Sequence, residues 1–387
     1  MALPIQYNLR NVVVRWRATL STILGIALVV SVFVLLLALA RGIEASSANT
    51  GDPRNILVVR RGSQAESGSQ VSREHFRTLR YFDEVARNEQ AEPIISAEVV
   101  VIVSAPRIDG TGEANTLVRG VTPRGIELRP QVELIAGRWF QPGQREVVVS
   151  RRLAARFAGF EIGGTIKAGQ ANLIVVGHFD AKGSAFDSEA WMDADETRAI
   201  FDREMYSSLL VRPRGPEAAT QLMKRIEDDK RLSLRAELEV DYYSKQTMTA
   251  TPIKILAGIM GLAMSVGAVF AAMNTMYASV ASRTREIGTL RVLGFSRSAI
   301  LFSFLIEGAL VAAIGGAIGC LMAIPMNGYS TGTIDFQSFA ETVFEFRVTP
   351  PLMLQGISFA VAIGLLGSFL PALRASRLPV IAALKSL

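Results

Sequence analysis

The chain of 387 residues has one cysteine, Cys320, and two histidines, His75 and His178. A single thiol excludes an intrachain disulfide and every cysteine-based metal cluster. Two histidines without H-x-x-x-H spacing make no metal site and read as surface or packed side chains. No stretch matches the phosphate-binding pattern G-x-x-x-x-G-K-[ST], so the chain has no such route to ATP. Residues 41–251 hold no G-x-S-x-G elbow for a nucleophilic serine. Charge is sparse as well: 20% of residues are Asp, Glu, Lys or Arg, against 50% apolar, with mean hydropathy +0.30. That balance is too apolar for an ordinary soluble protein and too polar for a chain lying wholly in a membrane.

Long apolar runs are present instead. Residues 18–40 carry no charge between Arg17 and Arg41, and residues 255–282 none between Lys254 and Arg283. Residues 299–325 are apolar except for Glu307, and 348–373 are uncharged between Arg347 and Arg374. Each exceeds the roughly 20 residues a helix needs to cross about 30 Å of hydrocarbon. The first run ends in "ALA", like a signal-peptidase site. Its 23 residues exceed the roughly 7–15 of a signal h-region, so it is expected to persist as a span.

The basic residues cluster beside the runs. Arg10, Arg15 and Arg17, the four arginines and Glu286 of 283–298, and Arg374, Arg377 and Lys385 together bring ten positive charges and one negative. The whole chain is +6, so the remainder is net −3, and the segment 326–350 has three acids against Arg347 alone. The positive-inside rule then puts both termini and 283–298 in the cytoplasm. This predicts a cytoplasmic N-terminus (1–17), a first span (18–40), a large extracytoplasmic domain (41–251) and a second span (252–282). A cytoplasmic segment (283–298), a third span (299–325), an outer loop (326–350), a fourth span (351–373) and a cytoplasmic tail (374–387) follow. A pI near 9.6 is thereby explained by topology, and no nucleic-acid role is expected.

The large domain reads as α+β. Strand-like stretches fall at 55–61, 93–105, 115–121, 145–150 and 172–179, and helical ones at 72–88, 194–204 and 216–231. "SSLLVRP" (207–213) lies between the last two and "LEVDYY" (238–243) after them. In the spans, Gly267 and Ala271 are four apart, and Gly315 and Gly319 form a G-x-x-x-G, patterns that favour close helix packing within or between subunits. Glu307 is an intramembrane acid, a functional candidate by default, whose expected role is structural: pairing with a polar group such as Asn274, or a place near the cytoplasmic interface.

The stretch "SRTREIGTLRVLGFSRS" (282–298) stands out. A helix through it aligns Ile287, Leu290 and Leu293 on one face and leaves Arg283, Glu286 and Arg291 for charge-assisted contacts. Gly294 is placed to end it. Pattern alone leaves two readings: docking into a groove on another protein, or lying on the membrane surface.

The residues around it carry a resemblance. "RTREIGTLRVLGFSRSAI" (283–300), within 271–319, is similar to the signature region of the MacB/FtsX-type (type VII superfamily) ABC transporter permeases. Residues 9–43 resemble the family's N-terminus and first helix, 137–179 its periplasmic core domain, and 371–384 its C-terminal motif. The resemblance implies four transmembrane helices with a MacB-like periplasmic domain, in the bacterial inner membrane. It implies a non-catalytic permease coupled to a separate cytoplasmic ABC ATPase dimer that binds ATP and Mg, since no ATPase domain is found fused here. Mechanotransmission would act on a hydrophobic or lipid-linked substrate, with a second permease, identical or paralogous, and a periplasmic adaptor. The alternative is a signal transducer that regulates a periplasmic cell-wall hydrolase. By the same resemblance the ATPase-coupling residues are Arg283, Thr284, Arg285, Glu286, Ile287, Leu290, Arg291, Leu293 and Gly294, with Arg374 and Arg377 as a second cytoplasmic contact.

Overall fold

The structure is a computed structural model that describes residues 16–245, 250–334 and 340–378. Most of the expected amphipathic N-terminus (1–15) and the end of the C-terminal tail (379–387) lie outside the described residues. In chain order come α1 (Trp16–Ala48), β1 (Ile56–Arg60), α2 (Arg73–Leu79), β2 (Ile95–Pro106), β3 (Glu113–Val121), α3 (Pro123–Glu127), β4 (Glu133–Gly137) and β5 (Glu146–Ser150). Then follow α4 (Arg151–Ala154), β6 (Thr165–Ala168), β7 (Ala171–Asp180), β8 (Glu189–Asp193), α5 (Ala194–Ile200), β9 (Ser208–Val211), α6 (Pro216–Asp228), β10 (Leu234–Leu238) and α7 (Glu239–Lys245). The last elements are α8 (Ala250–Ser282), α9 (Thr284–Val292), α10 (Arg297–Ala323), β11 (Ser330–Ile334), β12 (Glu341–Glu345) and α11 (Pro350–Ser376). Two compact units result: a helical unit (Met1–Arg41, Thr251–Tyr329, Phe346–Leu387) and a sheet unit (Gly42–Ala250, Ser330–Glu345).

The central strands of the sheet unit, such as β1, β8 and β9, are buried on both faces. Among the described residues, ten strands run in the order β10-β1-β9-β2-β3-β8-β5-β7-β4, with β6 beside β7. Most pairs are antiparallel; β3–β8 and β5–β7 are parallel. Successive side chains of a strand point to opposite faces, and the core follows that rule. Ile56 and Val58 of β1 pack with Leu222 and Ile226 of α6. Leu57 and Val59, one residue out of phase, join Trp191, Phe186 and Tyr243 on the other face. Val147 and Val149 of β5 face a third cluster with Phe157 and Leu173, while Val148 faces Trp191.

Two expectations change here. The helix anticipated over 72–88 is only α2, capped by Ser72, whose hydroxyl accepts from the His75 amide. The stretch 238–243 takes the chain from the end of β10 at Leu238 into α7, with Glu239 and Tyr243 buried. The outer loop 326–350 contains a hairpin, β11–β12, that belongs to the sheet unit. Glu341 there is ion-paired with Arg107 and Arg156, Glu345 pairs with Arg152 at 2.9 Å, and the Val343 amide donates to Ser188 Oγ at 2.7 Å. "GYSTG" at 328–332 has the letters of a nucleophile elbow. Here it opens a hairpin, with Ser330 paired to Glu345, not the strand-to-helix turn that would present a nucleophile.

In the helical unit, four helices among the described residues are long and apolar enough to cross a membrane: Thr19–Ala48, Thr251–Ser282, Arg297–Met326 and Pro350–Ser376. The first outruns its apolar stretch, because nothing in 41–48 breaks a helix until Gly51, whose φ of +90° favours glycine. The glycines of α10 serve two neighbours. A Cβ at Gly319 would come within 2.5 Å of the Ala27 carbonyl oxygen of α1, and one at Gly315 within 3.0 Å of that of Ile23. A Cβ at Gly316 would sit 2.7 Å from Ala360 Cβ of α11. Gly267 and Ala271 do not pack this way. Both are exposed beside a cleft of about 300 Å³ between α1 and α8, and among the described residues nothing lies within 4 Å of a Cβ at Gly267.

Candidate functional site

The segment between the second and third spans forms α9. Arg283 sits at the break between α8 and α9 with non-helical φ −110° and ψ 14°. Gly294, at φ +92°, ends the turn after Val292, and Ser296 caps α10 by accepting from the Ala299 amide. The helix is thus short, with a definite break at each end.

Its faces divide differently from the sequence expectation. Ile287 is 2% exposed and packs with Met276 and Val280 of α8, Ile300 and Phe304 of α10, and Ala372 and Ala375 of α11. Leu290 and Arg291 are half-buried, and Thr284 donates its hydroxyl back to the Ala281 carbonyl. Arg283 is 3% exposed. Its guanidinium donates to both oxygens of Glu307, at 2.8 and 3.2 Å. Ile287 and Arg283 therefore anchor α9 to its own bundle and are not its outward face. The apolar face was filled from within because a helix joined to two spans meets them before any partner. What remains outward is Arg285, Glu286, Thr289, Val292 and Leu293, the last two 60% and 68% exposed. These positions share one side at helical spacing.

Glu307 is likewise corrected: its partner is Arg283, and Asn274 is exposed. A charged pair so placed satisfies an acid that would be costly alone in a span. Arg374 lies 5.9 Å from the ring of Tyr277, and both it and Arg377 are exposed at the end of α11.

A second constellation was missed from sequence. Arg119 on β3 donates to Glu66 at 2.9 and 3.0 Å, to Glu98 on β2 at 2.8 Å and to Glu189 on β8 at 2.7 and 2.8 Å. Arg129 donates to Glu98 and to Glu239 of α7, each at 2.7 Å. All six charged side chains are buried. Glu239 also accepts from the Asp52 amide at 2.9 Å and Asn55 Nδ2 at 2.8 Å. The network thereby clasps the chain just after α1 to the helix just before α8, inside the sheet unit. The signal was legible in part: Glu98 stands inside the apolar run "IISAEVVVIVSA" and Arg119 inside "TLVRGV". A charge within a strand buried on both faces implies a buried counter-charge.

Burial alone would raise the Glu66 carboxyl. The charge and hydrogen bonds of Arg119, helped by Ser208, outweigh it and hold the group at about 2 rather than 4.5. A depressed carboxylate stabilises the fold above its unfolded value and loses that contribution as pH falls through the folded one. Glu66 therefore contributes on the order of 3 kcal/mol above pH 4.5, lost between there and about pH 2. Denaturant titrations followed by tryptophan fluorescence should show this acid limb, and Glu66→Gln should flatten it.

Comparison with known proteins decides the family. The profile of the MacB-like periplasmic core domain matches residues 19–229, and that of the FtsX-like permease C-terminal region matches residues 258–380. The chain belongs to the MacB/FtsX-type family of ABC transporter permeases. The macrolide export ATP-binding/permease protein MacB 1/2 of Paracoccus denitrificans is 27% identical over 393 residues, covering 95% of this chain and 55% of its own. The MacB of Pasteurella multocida is 25% identical over 390 residues, covering 95% and 57%. The chain spans about half the length of these curated relatives. The periplasmic region of MacB from Actinobacillus actinomycetemcomitans aligns over 51% of this chain and 94% of that region, at 13% identity with a TM-score of 0.37. In this MacB/FtsX-type permease, α9 to α11 and most of α8 fall in the FtsX-like region, while the buried Arg119 network, Glu239 apart, lies within the stretch matched by the periplasmic core domain.

Proposed function

We propose that this permease couples a cytoplasmic ABC ATPase dimer to its periplasmic domain by mechanotransmission, moving a hydrophobic or lipid-linked substrate at the outer side of the inner membrane. The observation that carries the reading is the outward face of α9. Two exposed apolar side chains, Val292 and Leu293, stand about two turns along from Arg285 and Glu286 on the same side of a helix held between two spans. A face with charges at one end and apolar side chains at the other suits a groove on a protein partner. ATP and its Mg are assigned to the ABC ATPase that α9 would contact. Both termini and α9 lie in the cytoplasm by the charge distribution. A second permease completes the dimer, and a periplasmic adaptor receives the substrate. The curated relatives are named for macrolide export; the substrate of this chain is assigned only to the broader hydrophobic class.

The test is mutational. Leu293→Asp and Glu286→Arg should each leave the permease folded and dimeric while lowering stimulation of the co-purified ATPase by about tenfold or more, as expected for the centre of an interface. Normal stimulation in both variants would overturn the assignment of α9.

A further inference from the structure

We propose that the Arg283–Glu307 ion pair is a rigid joint that fixes α9 to the third membrane helix, so that force on α9 turns α10 rather than bending the link between them. This deepens, and rests on, the reading of α9 as the ATPase contact. Four observations support it. First, Arg283 occupies the one non-helical position between α8 and α9, where a chain bends most easily. Second, its guanidinium is bound twice by Glu307 and lies 6.0 Å from the ring of Phe304, three residues earlier on α10. A planar guanidinium held by both carboxylate oxygens fixes orientation as well as distance. Third, one turn further along α9, Ile287 is packed against Ile300 and Phe304 of the same helix. The two helices are therefore joined at two points, which removes free rotation about either. Fourth, Glu307 also borders a cleft of about 170 Å³ lined by Thr22, Thr275, Ser279, Ser282 and Ser368. The cleft leaves room beside α10 at the level of Glu307, while Gly315 and Gly319 further along the helix keep it close against α1.

The ion pair thus acts as a positioning element. Arg283 and Glu307 need not touch the ATPase for their loss to uncouple it. Their separation by 24 residues means that neither side chain alone is constrained by helix geometry to meet the other; the pairing is a property of how α9 folds back.

The test measures the joint itself in the full chain in lipid nanodiscs. Spin labels on cysteines replacing Thr289 on α9 and Leu321 on α10, both exposed, report the angle between the helices. Cys320 is replaced by alanine in this background. A reference pair at Leu321 and Phe369 spans α10 and α11. The wild type should give one narrow distance distribution for each pair. Glu307→Gln should broaden the α9–α10 distribution about twofold or more while leaving the reference pair unchanged. Exchanging the charges, Arg283→Glu with Glu307→Arg, should restore the narrow width. Should the exchanged pair not fold, Arg283→Lys, which keeps one bond and loses the fork, should give an intermediate width. An unchanged α9–α10 width in Glu307→Gln, or broadening of both pairs together, overturns the joint. No ATPase is needed, so the outcomes separate. A chain that binds no ATPase defeats the docking of α9 with the joint intact, and an unaltered width defeats the joint with docking intact.

Discussion

Arg119→Ala should lower the stability of the sheet unit by about 3–5 kcal/mol, the range for removing one partner of a buried ion pair. The side chain is 1% exposed and is the donor to three carboxylates, of which only Glu98 retains a second arginine partner. Truncation leaves Glu66 and Glu189 buried with hydroxyl, phenol and indole donors alone. Those neutral groups cannot offset two negative charges in a low-dielectric core. The melting temperature should fall on the order of 10 °C for a unit of this size. Trp191, which donates its indole N–H to Glu189 at 2.8 Å, is a built-in fluorescence probe for the transition. Adding Glu66→Gln and Glu189→Gln to an Arg119→Met background should recover part of the loss, because the charges are removed along with their partner. Arg231→Ala provides the contrast. Its pair with Asp229 is at the surface, with the arginine 89% exposed, and should cost less than about 1 kcal/mol. Equal losses at Arg119 and Arg231 would show that the buried network has no special weight.

The second large effect is expected in the helical unit. Gly319→Val should separate α1 from α10, because the added Cβ would lie 2.5 Å from the Ala27 carbonyl oxygen and 2.9 Å from Val30 Cβ. Overpacking commonly costs about 1–3 kcal/mol. Here the obstacle includes backbone, which cannot rotate aside as a side chain would, so the upper end of that range or beyond applies. Helices in lipid hold together by close packing of small residues, so the loss falls on assembly of the bundle. The readout is the monodisperse fraction of the full chain after extraction, together with its thermal midpoint. Gly267→Val is the matched control: it adds the same group to open space and should leave the single-chain midpoint unchanged. If Gly267→Val instead abolishes the dimer without altering that midpoint, the Gly267 and Ala271 side of α8 is the subunit contact. If Gly319→Val is as benign as Gly267→Val, the α1–α10 packing is wrong.

Much of the architecture could be read along the chain. The four spans follow from uninterrupted apolar runs, and strands such as β5 and β7 from local alternation and β-branched residues. Gly294 and Ser296 punctuate α9 and α10 by chemistry that acts within three or four residues. The limits of such reading appear at α9. Its spacing named an apolar face correctly as a face, but could not say whether that face meets the chain's own bundle or something else. Leu293 turned outward and Ile287 inward, although both belong to the same three-residue spacing. The hairpin 330–345 shows the same limit. Its "TVFEF" is strand-like in its β-branched and aromatic residues, yet its attachment depends on Arg107, Arg152 and Arg156, between 185 and 234 residues earlier.

What the sequence by itself determined is therefore what short-range forces decide: where the chain is apolar enough to enter a membrane, where it bends, and which motif marks its family. The tertiary structure decided which charges are buried and with whom. Arg119 finds Glu189 across 70 residues and Arg129 finds Glu239 across 110. The physical reason is that a lone charge is excluded from a core, whereas one with a well-placed partner is not. Local sequence displays the charge, and only the folded chain supplies the partner.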